Sequence, residues 1–100
     1  MYDMANMKKL RQLGELAPDA WKAFGALNDA TFAEGALSTK TKELMALAVA
    51  LTTQCAYCLE VHRRAAVKAG ATEEEIAETV MVTAALRAGG AVAHAGHVLG

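Results

Sequence analysis

Residues 38–70, STKTKELMALAVALTTQCAYCLEVHRRAAVKAG, hold two helices and the turn between them. Ser38 or Thr39 caps the first, because a side-chain oxygen there can accept a free N–H of the opening turn. Leu44, Leu47, Ala48 and Leu51 follow at i, i+3, i+4 and i+7, the spacing of one helical face. Thr52, Thr53 and Gln54 interrupt that helix. The second opens at Cys55 and Cys58 and continues through Leu59 and Ala66 to Gly70, which stands where a C-terminal cap is expected. Alanine, leucine, glutamate and lysine dominate, and β-branched residues rarely alternate with polar ones, so the whole chain reads as all-α.

Upstream, Met7, Leu10 and Leu13 begin an apolar stripe that ends near Gly14 and the sole proline, Pro18. Proline suits a first helical turn, so another helix spans residues 18 to about 33 with Ala20, Phe24, Leu27 and Thr31 on one face, closed by Gly35. Downstream, Thr72 and Glu75 have capping-box spacing and start a helix through Ile76, Val80, Ala84 and Arg87. Val80, Met81 and Val82 make it apolar around most of its girth, which predicts burial on two sides, one against another subunit. Gly89 and Gly90 are expected to break the chain before a short last helix at residues 91–99. The total is about six helices in one domain over residues 1–100, with no repeat, linker or low-complexity tract.

Of the 54 hydrophobic residues in this chain of 100, 23 are alanine, so the core will be thin. Alanine contributes little buried area, and a chain this short buries only roughly two thirds of its unfolded surface. A lone protomer is therefore marginal, and an oligomer is expected. A formal charge of -1 lacks the basic excess that phosphate-backbone binding requires, which argues against nucleic acid. The longest apolar run, residues 44–51, falls short of the about 20 residues of a membrane span, and the first residues do not read as an export signal. A cytoplasmic protein without a membrane partner is expected.

Cys55 and Cys58 are the only cysteines, and in a reducing compartment such a pair points to catalysis or metal binding rather than a structural staple. Cys55, Cys58 and His62 stand at i, i+3 and i+7, one face of a helix. A thiolate is the attacking species, and both a helix N-terminus and a neighbouring histidine favour ionisation of a thiol. Cys58, one turn from His62, is assigned as the more activated thiol and Cys55 as the resolving one, although the dipole argument alone favours Cys55. One helical turn brings two Cα atoms to about 5 to 6 Å, which a disulfide accepts. Haem attachment is excluded, since Leu59 rather than histidine follows Cys58. Structural zinc would need a fourth ligand from His94, His97 or Glu43, and two inert packing cysteines are the other alternative.

Glu43, twelve residues before Cys55, completes the pattern E-x(11)-C-x-x-C-x-x-x-H with Cys55, Cys58 and His62. With Lys42 and Leu44 around the glutamate, it resembles the alkylhydroperoxidase D-like proteins of the carboxymuconolactone decarboxylase family, most closely over residues 37–70. The resemblance implies an all-helical fold assembled as homotrimers or homohexamers. It also implies thiol-disulfide or peroxidase activity through Cys55 and Cys58, with Glu43 and His62 as a proton relay. The implied partners are a hydroperoxide or protein disulfide and an unidentified thiol electron donor, with no cofactor and no metal. Tyr57 departs from the histidine that many such proteins carry before the second cysteine. A phenol with pKa near 10 orients hydrogen bonds but is a poor base at neutral pH, so Tyr57 is an accessory residue at most and peroxidase turnover is weakened. The decarboxylase branch lacks the cysteine pair. The alternatives are a redox-sensing or metal-binding module of the same fold, or a lactone decarboxylase working without the cysteines.

Glu43 taken alone reads as a solvated first-turn residue; its offset from Cys55 reverses that. His94 and His97 are expected as surface or interface histidines, and Glu73, Glu74 and Glu75 as complements to a helix dipole. Lys40, Lys42, Arg63 and Arg64 are expected on a solvated face, with Arg63 and Arg64 also able to raise the potential around the thiols. Trp21, Phe24 and Phe32 read as core or subunit contacts, with a substrate-binding aromatic as the alternative.

Overall fold

The side chains of residues 38–42 do more than start a helix: they also end the one before it. In the computed structural model, which describes residues 2–100, Ser38 Oγ accepts the Thr41 N–H at 3.1 Å and opens a helix. The Thr39 hydroxyl donates to the Phe32 carbonyl at 2.7 Å, and Lys42 Nζ donates to the Ala33 carbonyl at 2.6 Å. These are carbonyls that a helix end leaves without intrahelical partners. The α-helices are α1 (Leu10–Leu16), α2 (Pro18–Phe32), α3 (Thr39–Thr53), α4 (Ala56–Lys68) and α5 (Glu73–Ala93), with 3-10 helices at Met4–Lys9 and Ala95–His97. No strand occurs among the described residues.

Two turns fix the geometry around the cysteines. Gln54 takes left-handed φ and ψ of 57° and 40°, and the Cys55 N–H reaches the Ala50 carbonyl at 3.1 Å, which stops α3 abruptly. Gly70 ends α4 with φ of 100°, while the Ala71 N–H bonds Ala66 and the Gly70 N–H bonds Val67, the full Schellman pattern. Glycine adopts that conformation freely, whereas glutamine does so at a steric cost. Gln54→Gly should therefore raise unfolding stability by about 0.5–1 kcal/mol, read from the urea midpoint.

The core is a seam between α3 and α4, closed by the start of α5. Leu47, Ala66 and Ala71 are its buried centre, with Leu44, Leu59 and Ile76 packed around them. Ala66 is 0% exposed, and so small a side chain lets the two helices approach closely. Glu43 shares the buried register of α3 with Leu47 and Ala50, so a carboxylate is built into the seam. The thin core expected from the alanine content is what the structure has.

The α5 helix begins with the capping box: the Glu75 N–H reaches Thr72 Oγ1 at 3.1 Å, and the Thr72 N–H reaches Glu75 Oε1 at 2.9 Å. Lys40 pairs with Glu75 at 2.8 Å and Arg63 with Glu73 at 2.9 Å, tying α3 and α4 to this helix start. The Lys40 hydrogen bond, and after it the Thr72 backbone, hold the Glu75 carboxyl below its ordinary 4.5. A lowered carboxyl contributes stability that is present above 4.5 and is lost as pH falls through the lowered folded value. Between pH 7 and pH 3 the urea midpoint should accordingly drop less in Lys40→Met than in the wild type.

The expected break at Gly89 and Gly90 is not there, since α5 passes through both. A helical glycine costs about 1 kcal/mol relative to alanine but clashes with nothing, and the flanking Ala84, Ala85, Ala88, Ala91 and Ala93 favour helix. The separate last helix is thus replaced by the end of α5 and the 3-10 turn Ala95–His97, giving five α-helices among the described residues rather than about six. The resulting stretch Glu73–His97 is long and apolar enough, by length and composition alone, to cross a membrane. No unbroken apolar run marks it, because Glu78, Arg87, Thr and Gly interrupt the stretch without lowering its average hydropathy much. Only Thr83 of α5 is buried, and Met81, Val82, Leu86 and Val92 are all exposed. The chain measures 53 × 33 × 28 Å with a radius of gyration of 16.7 Å, against about 13 Å for a compact domain of this length.

Candidate active site

The turn at Gln54 places Cys55 outside the helix, and this alters the expected geometry. Cys55 is the N-cap of α4, in extended conformation, and its Sγ accepts the Cys58 N–H at 3.2 Å. The three residues Cys55, Cys58 and His62 are therefore not three positions of one helix face; only Cys58 and His62 are. The pair still meets: Cys55 and Cys58 form a disulfide, with Cα atoms 5.3 Å apart. Both are half-buried.

The seam brings Glu43 and His62 together. Glu43 Oε2 lies 2.7 Å from His62 Nδ1, and Glu43 is 6% exposed. A carboxylate in its ionised form only accepts hydrogen bonds; paired with it, His62 would donate from Nδ1 and keep Nε2 as the ring nitrogen free to accept a proton. Among the described residues no hydrogen bond joins the imidazole to either sulfur; what relates them is the single helical turn between Cys58 and His62. The Phe32 ring, at the end of α2, stacks on the imidazole with centroids 5.2 Å apart and planes at 20°. Phe32 is thus more than the core or subunit contact expected of it. Its role depends on the end of α2 reaching His62 of α4, a contact that its sequence position does not disclose.

Tyr57 faces a different neighbour. Its ring meets the Tyr2 ring edge-on at 5.3 Å, and its hydroxyl oxygen accepts from the Asp3 N–H and Asn6 Nδ2, each at 3.4 Å. The nearby cations do not stand free beside the thiols: Arg63 pairs with Glu73, and Arg64 with Glu60 at 2.7 Å. His94 and His97 sit at the far end of α5, exposed, with their Nδ1 atoms 3.0 Å apart. Among the described residues no three His, Cys, Asp or Glu side chains gather to hold a metal ion. Trp21 stacks on Phe24 at 5.9 Å, and a Cβ at Gly14 would come within 2.7 Å of the indole, so that glycine lets α1 lie against it. The apolar groove there, lined by Leu13, Ala17, Ala20, Trp21 and Phe24, includes none of the candidate site residues.

Residues 18–99 match the carboxymuconolactone decarboxylase family model. A Paracoccus denitrificans protein, uncharacterized protein 4 in cox locus, is 44% identical over 102 residues, taking in 99% of this chain and 92% of that one. A carboxymuconolactone decarboxylase family protein from Legionella pneumophila, solved as a crystal structure, superposes with a TM-score of 0.77 at 35% identity, covering 80% of this chain and 71% of that one. A crystal structure from Methanobacterium thermoautotrophicum gives 0.79 at 32% identity, covering 86% and 97%. With its C-x-x-C pair and the helices that carry it, the chain belongs to the carboxymuconolactone decarboxylase family as an alkylhydroperoxidase D-like member.

Proposed function

We propose that the protein is a thiol-disulfide oxidoreductase with peroxidase activity, cycling Cys55 and Cys58 between dithiol and disulfide. The observation that carries this reading is the Cys55–Cys58 pair at the start of α4, one turn from a histidine oriented by a buried carboxylate. In the reduced protein, His62 Nε2 takes the Cys58 proton, directly or through a water, and the thiolate attacks the terminal oxygen of a hydroperoxide. The O–O bond breaks, an alcohol leaves with the proton returned from the imidazolium, and Cys58 becomes a sulfenic acid. The Cys55 thiol then attacks that sulfur, forming the disulfide and releasing water. Two thiols of a donor restore the dithiol and leave as their own disulfide. Glu43 holds the imidazole in one tautomer and stabilises its protonated form, as a triad carboxylate does. A protein disulfide can replace the peroxide as oxidant. Cys55→Ser and Cys58→Ser should each abolish turnover of an organic hydroperoxide with dihydrolipoamide as donor. Normal turnover in both would sink the redox reading and favour a lactone decarboxylase.

Self-association belongs to the same proposal. The exposed apolar face of α5 and the apolar groove at Trp21 leave more hydrophobic surface uncovered than a soluble protomer ordinarily presents. Threefold assembly as a trimer or hexamer covers it, and Arg87 among the apolar turns of α5 favours a protein partner over lipid. Light scattering should find no stable monomer at micromolar concentration, and Leu86→Glu should shift the assembly toward monomer. A monomeric wild type contradicts this.

A further inference from the structure

Residues 2–9 contribute nothing to the core: no residue of the 3-10 helix Met4–Lys9 is buried, and its only side-chain cap is Asp3 Oδ1 accepting the Ala5 N–H at 2.9 Å. What holds this segment is a set of contacts with residues more than fifty positions away. The Tyr2 hydroxyl donates to the Gln54 carbonyl at 2.8 Å, the Tyr2 ring packs edge-on against Tyr57, and Asp3 and Asn6 both donate to the Tyr57 hydroxyl. Every one of these contacts falls on a residue immediately preceding a cysteine: Gln54 before Cys55, Tyr57 before Cys58. The segment therefore lies across the turn that carries the disulfide. Two of its bonds are long, 3.4 Å, and all are at exposed positions, so each is weak and the docked state opens readily.

From this arrangement we infer that residues 2–9 are a latch over the redox turn, that Tyr57 is its anchor, and that the latch selects reductants by size. The inference rests on the redox reading of the cysteine pair and specifies which donors reach it. Reduction requires a donor thiolate to attack one sulfur of the disulfide, forming a mixed disulfide, and a second donor thiol to release it; the donor leaves oxidised and both cysteines leave as thiols. A small dithiol needs only a path to a half-buried sulfur. A protein donor must also lay its own surface on the turn, at the place the latch occupies. Tyr57 thereby acquires a role that its weakness as a base does not affect.

The test uses the oxidised protein and two reductants, dithiothreitol and reduced thioredoxin, with the thiols formed trapped by alkylation over time. Tyr2→Ala and Asn6→Ala should each accelerate reduction by thioredoxin about fivefold, the scale of losing one or two exposed hydrogen bonds. Reduction by dithiothreitol should change less than about twofold on that same scale. Tyr2→Phe, which keeps the ring contact and loses the Gln54 bond, should fall between. Tryptic cleavage after Lys8 and Lys9 should quicken in parallel. Equal acceleration with both reductants would mean that the variants altered the disulfide itself, and it overturns the latch. So do unchanged thioredoxin rates, whether or not cleavage quickens. Failure of the underlying redox reading looks different: the disulfide is reduced normally, latch or no latch, yet the cysteine variants keep their turnover.

Discussion

In the reduced protein, His62→Gln should slow iodoacetamide alkylation at pH 7 by about tenfold or more, moving the pH profile of the reaction upward. Glutamine is the informative replacement because it separates two roles of the same side chain. His62→Ala would leave the Glu43 carboxylate buried without its partner, and removing one member of a buried pair is strongly destabilising. A glutamine amide can still donate to Glu43 but has no basic nitrogen, so the fold should survive and the loss of reactivity can be assigned to the base. Glu43→Gln should slow alkylation more mildly, since it removes the charge that orients and stabilises the imidazolium but leaves the imidazole. Tyr57→Phe should matter less than either, because a phenol is not a base at this pH. Phe32→Ala should resemble Glu43→Gln, by freeing the imidazole to turn. Unchanged profiles in the His62 and Glu43 variants, with folding intact, would reduce Cys55 and Cys58 to an ordinary dithiol.

Ala66→Leu should cost about 1–3 kcal/mol, enough to unfold much of so thinly packed a chain at 37 °C. The site offers no room: Ala66 has no exposed surface and lies where α4 crosses Leu47 of α3. The added carbons must push the helices apart, and the same seam sets the 2.7 Å separation of Glu43 and His62. The folded fraction should accordingly show slowed alkylation at pH 7. Ala66→Gly is the control, costing helix propensity without overpacking, and it should keep the reactivity. A stable Ala66→Leu protein with wild-type reactivity would show that the seam does not position the relay.

The helices that sequence places well are those whose ends carry their own chemistry. Ser38, Thr72 with Glu75, Gly70 and Pro18 each supply a local hydrogen bond or a preset φ, and the structure uses all four. The end of α5 is not legible locally, because a glycine pair permits a break without requiring one, and only the surrounding alanines decide. Glu43 was legible through its offset from Cys55. It also shares a helix face with Leu47 and Ala50, a register that already marks it as buried. Cys55 as an N-cap was not legible, since it depends on Gln54 turning left-handed, which no glycine or asparagine announces. Phe32 on His62 and Tyr2 on Tyr57 depend on packing between segments that are remote in sequence, and no local pattern records them.

The most direct test of the redox claim is the mass of the fully reduced protein after one equivalent of organic hydroperoxide, with the alcohol product measured alongside. The expected result is a loss of two hydrogens per chain, one equivalent of alcohol, a Cys55–Cys58 disulfide in the peptide map and full recovery of the starting mass on reduction. A protein that leaves the hydroperoxide intact and keeps both thiols, or that only gains oxygen without forming the intrachain disulfide, would contradict it.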